Sequence, residues 1–256
     1  MVQADLVIKL GGSAVTHKDV PLSPNLDAIA QIARELSAFK LSSKVVLVHG
    51  GGSFGHYEAR KYLQGGVIAD PRGIAEVRAA MLSLAKVITD TFLENGVPIF
   101  VINPSGSFVL NGGSTEPSST FLQPVERCLE SGLMPAIGGD VVLDSSGGAR
   151  ILSGDTIARL IALRLDARLL AFGTDVGGVL SGRKIIEEIS KEDLPGVAST
   201  LSGRPGDVTG GMAGKLREIC SYLHAGGKEA LIFNITKPGL LTKILKGEKV
   251  EGTYIR

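Results

Sequence analysis

Six short apolar runs alternate with amphipathic stretches along this chain, and that alternation constrains its fold more than any other feature. DLVIKL (5–10), KVVLVH (44–49), VPIFVI (97–102), LMPAIG (133–138), ARLLAFG (167–173) and EALIFNI (229–235) read as strands. Their apolar residues run consecutively, so both faces of each strand need cover. Between them, stretches 23–39, 73–96, 153–167 and 214–227 read as amphipathic helices. Leu26, Ile29, Ala33 and Leu36 mark the apolar face of the first, and Ser23-Pro24 suits its N-terminus. The expected class is α/β, a mostly parallel sheet covered by helices on both sides. Residues 107–119 read as a hairpin insertion and 194–207 as a loop, with a change of lobe near residue 170.

Composition narrows the function classes. With 256 residues, 44% of them hydrophobic, the chain has material for a large core. A net charge of +1 provides no basic field for nucleic acid, so any anion site must be built locally. No apolar run approaches the roughly 18–20 residues of a membrane span. The opening MVQADLVIKL lacks the order of a secretion signal. Cys128 and Cys220 have no CxxC spacing and read as free thiols in a reducing cytoplasm.

Three glycine-rich segments carry the chemistry. KLGGS (9–13) and HGGGSFG (49–55) each follow a strand, and TGGMAGK (209–215) opens a helix. Loops at strand ends that lead into helices offer backbone N–H groups and a positive dipole end to phosphate, and glycine lets the main chain come close. Gly50, Gly52 and Gly55 satisfy G-x-G-x-x-G, but Asp70 follows too soon for the helix and strand of a dinucleotide fold. A P-loop fails because Leu216 follows Gly214-Lys215 where Ser or Thr is needed. Lys9 interrupts an apolar run where burial is expected, while Lys18 and Lys215 could equally be surface lysines. Acidic partners stand in GGD (138–140), SGD (153–155) and GTD (173–175), with capping of a helix as the alternative role for Asp155.

IKLGGS (8–13), Thr16 with Lys18, HGGGSFGH (49–56), GGDVV (138–142), SGD (153–155), GTDVGGVL (173–180), DVTGGMAGK (207–215) and GTYIR (252–256) together carry a resemblance. The chain resembles the amino-acid kinase superfamily, and within it the isopentenyl phosphate kinase branch. That resemblance implies an αβα sandwich, with the acceptor held by residues 1–170 and ATP by 171–256. It implies transfer of the γ-phosphoryl group of ATP to isopentenyl phosphate, with Mg²⁺, in a cytoplasmic homodimer. Lys9 and Lys18 match the lysines that neutralise the transferring group, and Asp155 the carboxylate that orients them. His56 matches the histidine on the acceptor's phosphate, and Gly51 and Gly154 match backbone positions beside the substrate. Gly11, Gly12, Ser13, Gly52, Thr174, Asp175, Gly210, Gly211 and Lys215 match the nucleotide-binding positions. Gly177 departs from the family pattern, which often has a second aspartate there. A sister kinase acting on fosfomycin, acetylglutamate or aspartate is the alternative, as is a non-catalytic nucleotide sensor. For the other histidines the residues suggest less: His49 reads as structural, His17 and His224 as surface. A prenyl tail needs an apolar wall, which Ile74, Val77, Met81, Leu84 and Ile88 could supply.

Overall fold

A computed structural model describes residues 2–39, 43–112, 116–200 and 211–256. The chain begins with strand β1 (Leu6–Leu10), a single turn α1 (Gly12–Val15) and helix α2 (Leu26–Ser37). Next come β2 (Val45–His49), α3 (Gly52–Tyr62), the long α4 (Pro71–Glu94) and β3 (Ile99–Ile102). A small hairpin, β4 (Phe108–Val109) and β5 (Ser119–Thr120), precedes α5 (Gln123–Glu130) and β6 (Met134–Gly138). A second hairpin, β7 (Asp140–Leu143) with β8 (Ala149–Leu152), leads into α6 (Gly154–Arg164) and β9 (Leu169–Thr174). The remainder holds the hairpin β10 (Leu180–Ser181) and β11 (Lys184–Ile185), then β12 (Glu188–Ile189) and α7 (Leu194–Thr200). It ends with α8 (Gly211–His224), β13 (Ala230–Asn234), α9 (Leu240–Leu245) and β14 (Thr253–Ile255).

Among the described residues, eight strands form one sheet in the order β12-β14-β13-β9-β1-β2-β6-β3, parallel throughout except where β14 meets β13. All six apolar runs are strands of this sheet, and β1 and β2 are buried along their whole length. Alternation along β1 sends Leu6, Ile8 and Leu10 into the core under α2 and α4, and Val7 into the core under α6 and α8. Lys9 shares the face of Val7, so strand parity alone aims it at α6 and α8. No described helix is long and apolar enough to cross a membrane.

Several local expectations change. Ser23-Pro24 does not start α2: Pro24 bridges Thr16, and Asn25 caps the helix by accepting from the Ala28 N–H at 3.2 Å. Leu26, expected on its apolar face, is more than half exposed, while Ile29, Ala33 and Leu36 are buried. Helix α4 begins earlier than its periodicity suggests, because Asp70 caps it and Pro71 fits its first position. Within the expected loop 194–207, residues 194–200 are helical: the Ser190 hydroxyl accepts from the Asp193 N–H at 3.1 Å, and Leu194 is buried. The rest of that stretch lies outside the described residues. The 107–119 insertion does contain a hairpin.

Candidate active site

The segments that follow β1, β2, β6 and β9 line one cavity of about 830 Å³. Helices α1, α3, α6 and α8 all begin at its wall, contributing Gly12, Gly52, Gly154 and Gly211. Ser13, Gly51, Thr174 and Asp175 line it as well, so the positions named above converge apart from Gly210, which lies outside the described residues. The glycines serve the protein's own packing first. A Cβ on Gly12 would stand 2.5 Å from the Gly52 N, and one on Gly154 2.9 Å from the His49 carbonyl oxygen. Backbone meets backbone here, and that contact brings the helix starts together.

At the centre, the Asp155 carboxylate lies between two lysines. Lys9 Nζ is 2.7 Å from its Oδ1, and Lys215 Nζ is 3.2 and 3.1 Å from Oδ1 and Oδ2. All three residues are buried, and the Lys215 ammonium also lies 4.8 Å from the centre of the Phe172 ring. Burial alone would raise the Asp155 pKa, but the Lys215 and Lys9 charges hold it below the ordinary carboxylate value. Burial pulls Lys215 the other way, below the ordinary lysine range, with Lys9 adding to the effect and Asp155 opposing it. One carboxylate between two ammonium groups leaves a positive charge unbalanced in a site shielded from water. Such a site calls for an anion.

Two expectations are corrected. Asp155 does not cap α6; Ser153 does, accepting from the Thr156 N–H at 3.0 Å. Asp155 is bonded to Lys9 and Lys215, whereas Lys18 pairs with Asp175 at 2.8 Å across the mouth of the cavity. The Ser13 hydroxyl donates to the same Asp175 at 2.8 Å. Lys215 is buried, so it is no surface lysine; Lys18 is about half exposed. The Thr174 hydroxyl braces its own loop, donating to the Val176 carbonyl at 2.7 Å. At Gly177, a Cβ would sit 2.6 Å from Ile185 Cδ1, so a side chain there would require Ile185 of β11 to shift.

The other side of the cavity is apolar. Val77 and Met81 of α4, Ala59 of α3, Val141 of β7 and Ile151 of β8 line it, with α3 adding the half-buried His56 and the exposed Tyr57 and Arg60. Leu84 and Ile88, expected on the same wall, instead pack in the core beneath α2. Asp140 also reaches the cavity, and its partner is Arg78 of α4, a pairing that sequence reasoning missed. Burial pushes the Asp140 carboxyl up to about 6 against the pull of Arg78.

A model of the Amino acid kinase family matches residues 6–234. The chain belongs to this family. It is 38% identical to the isopentenyl phosphate kinase of Methanocaldococcus jannaschii, over 97% of each chain. Identity to the isopentenyl phosphate kinase of Methanothermobacter thermautotrophicus is 34%, over 98% of each. A solved structure of an isopentenyl phosphate kinase superposes with a TM-score of 0.82 at 30% identity, covering 98% of this chain and 99% of that one. Acetylglutamate kinase of Endomicrobium trichonymphae is more distant, at 26% identity over 98% of both.

His49 of this family member is buried, its Nδ1 3.3 Å from the Gly50 carbonyl oxygen. Burial lowers its pKa to about 4; the bond to Gly50 opposes that shift and the Lys9 charge adds to it. The unfolded chain, with histidine near 6.5, therefore binds a proton the native state refuses. The contribution of His49 to stability should be fully present above pH 6.5 and fall by about 3 kcal/mol as pH drops to about 4. Urea titrations at pH 7.5 and 4.5 should show this loss in the wild type and a smaller one in His49→Asn. An equal loss in both would place the acid sensitivity elsewhere.

Proposed function

We propose that this chain transfers the γ-phosphoryl group of ATP to isopentenyl phosphate, giving isopentenyl diphosphate and ADP. The carrying observation is the two-sided cavity, with a buried, positively charged centre at Lys9, Asp155 and Lys215 and an apolar wall of Val77, Met81, Val141 and Ile151. An acceptor with a phosphate on a short hydrocarbon tail matches both sides; the free amino acids among the alternative acceptors would leave charge against the wall. In this reading residues 1–170 hold the acceptor and 171–256 hold ATP.

The acceptor's attacking atom is a phosphate oxygen, already ionised near neutral pH, so the step needs no general base. What the residues supply is position and charge. Lys9 and Lys215 neutralise the oxygens of the transferring group, Asp155 holds both ammoniums in place, and the glycine-bordered helix starts face the phosphates. Lys18 sits on the loop after α1 and reaches the nucleotide once it leaves Asp175. His56, which lines the cavity, holds the phosphate already on the acceptor through a ring N–H. Asp155 and Asp175 are both bonded to lysines, and the described residues contain no group of three metal ligands. In this reading Mg²⁺ would enter with ATP and would neutralise phosphate oxygens. Activity in a homodimer, in the cytoplasm, completes the proposal.

ADP release should be measured across isopentenyl phosphate, dimethylallyl phosphate, fosfomycin, acetylglutamate and aspartate, with isopentenyl phosphate expected to give the highest kcat/KM. His56→Ala should lower that value about 100-fold or more with ATP binding unchanged, and His56→Gln should recover part of it. Turnover confined to acetylglutamate or aspartate would overturn the acceptor assignment. Unchanged turnover in His56→Ala would remove the histidine from the site.

A further inference from the structure

Lys215 reaches Asp155 from the second turn of α8, so its position is only as fixed as α8 is against α6. The tie between the two helices lies close by. Glu218, three residues after Lys215, is about 4.5 Å further along the helix axis on a neighbouring face. Its Oε1 accepts from the Thr156 hydroxyl at 2.8 Å and its Oε2 from Arg159 Nε at 2.7 Å. Thr156 is the residue after Asp155, and its hydroxyl oxygen also stands 2.9 Å from the Ser153 hydroxyl that caps α6. Arg159 is almost fully buried and reaches Glu116 as well, so Glu218 holds a guanidinium that has little water to turn to.

The two carboxylates therefore work in parallel. Asp155 on α6 holds Lys215 of α8, and Glu218 on α8 holds Thr156 of α6, one residue away. A shift of α8 by about an ångström away from Asp155 would stretch both contacts of Lys215 beyond hydrogen-bond distance. Without Glu218, and apart from the Asp155–Lys215 pair itself, apolar residues such as Ile157, Ile161, Leu216 and Ile219 pack beside this seam, and apolar packing does not hold a helix in register as a directional bond does.

We infer that Glu218 and Thr156 are positioning residues for phosphoryl transfer, setting where α8 presents Lys215 to the reacting phosphate. The inference rests on the phosphotransfer reading of this cavity. Its test is a set of coupled variants of the whole chain, scored by ADP release with whichever acceptor the wild type turns over. Absence of wild-type turnover with isopentenyl phosphate counts against the acceptor assignment, whereas the ratios between variants count for or against the inference.

Thr156→Val removes the hydroxyl and keeps the shape. It should lower kcat about 3- to 10-fold, the effect of one hydrogen bond, with KM for ATP within about twofold of wild type. Thr156→Ser, which keeps the hydroxyl, should restore kcat. In a Lys215→Met background Thr156→Val should have no further effect, because the residue it positions is gone. Glu218→Gln, run alongside in case Thr156→Val folds poorly, should show the same dependence on Lys215. An undiminished kcat in Thr156→Val, or an equal fold-loss with and without Lys215, would overturn the inference.

Discussion

Replacing Asp155 by asparagine should lower kcat by on the order of 10²–10³ and make the protein's stability depend on added anion. The variant leaves Lys9 and Lys215 buried with no carboxylate between them, although each is now within about 3 Å of that group. Removing one partner of a buried ion pair costs about 3–5 kcal/mol, since the charges left behind stay desolvated. Two ammoniums facing one gap should bind any anion that enters it. ATP or inorganic phosphate should then raise the melting temperature of Asp155→Asn more than that of the wild type. Thermal unfolding with and without phosphate, beside steady-state ADP release, measures both effects. A variant with near-normal kcat would show that Asp155 neither orients the lysines nor shapes the site.

The second large effect is expected at Gly52. Its φ is +48°, and a Cβ there would lie 2.1 Å from Thr16 Oγ1 and 2.8 Å from the Gly12 carbonyl oxygen. Thr16 cannot retreat freely: its hydroxyl donates to the Gly12 carbonyl at 2.7 Å and accepts from the Ser53 N–H at 3.0 Å. Gly52→Ala should therefore cost the left-handed penalty of about 1–2 kcal/mol and a collision term, together about 3–5 kcal/mol, with loss of ATP binding. Gly65 provides the control, since its φ is +56° with nothing within 4 Å of an added Cβ. Gly65→Ala should show the backbone penalty alone. Equal destabilisation of the two variants would mean that the close approach of the two glycine loops contributes nothing.

These two residues separate what short-range sequence carries from what it does not. The break in LVIKLGG was enough to expect a buried Lys9, and its burial bears this out. Apolar runs located all six main strands because continuous burial on both faces leaves a mark in the sequence itself. Helix α3 was harder to see, because three glycines obscured the start of an otherwise polar helix that is held by its contact with α4. Likewise β7 and β8 form a hairpin whose pairing closes around a turn braced by Asp144 and Arg150.

By itself the sequence determined the α/β class, the six main strands and the spans of α2, α4, α6 and α8 to within a few residues, while the resemblance to the amino-acid kinases pointed to the lysines, aspartates and glycines that line the cavity. The tertiary structure alone decided the partners. Asp155 lies 60 residues from Lys215, Lys18 lies 157 from Asp175, and Thr156 lies 62 from Glu218. Nothing local distinguishes Asp155 from Asp175 as the partner of Lys18, because both follow glycine-containing turns at strand or helix ends. Periodicity and capping act over a few residues, whereas an ion pair forms wherever packing brings two charges together, and packing is settled by the whole sheet and the helices stacked upon it.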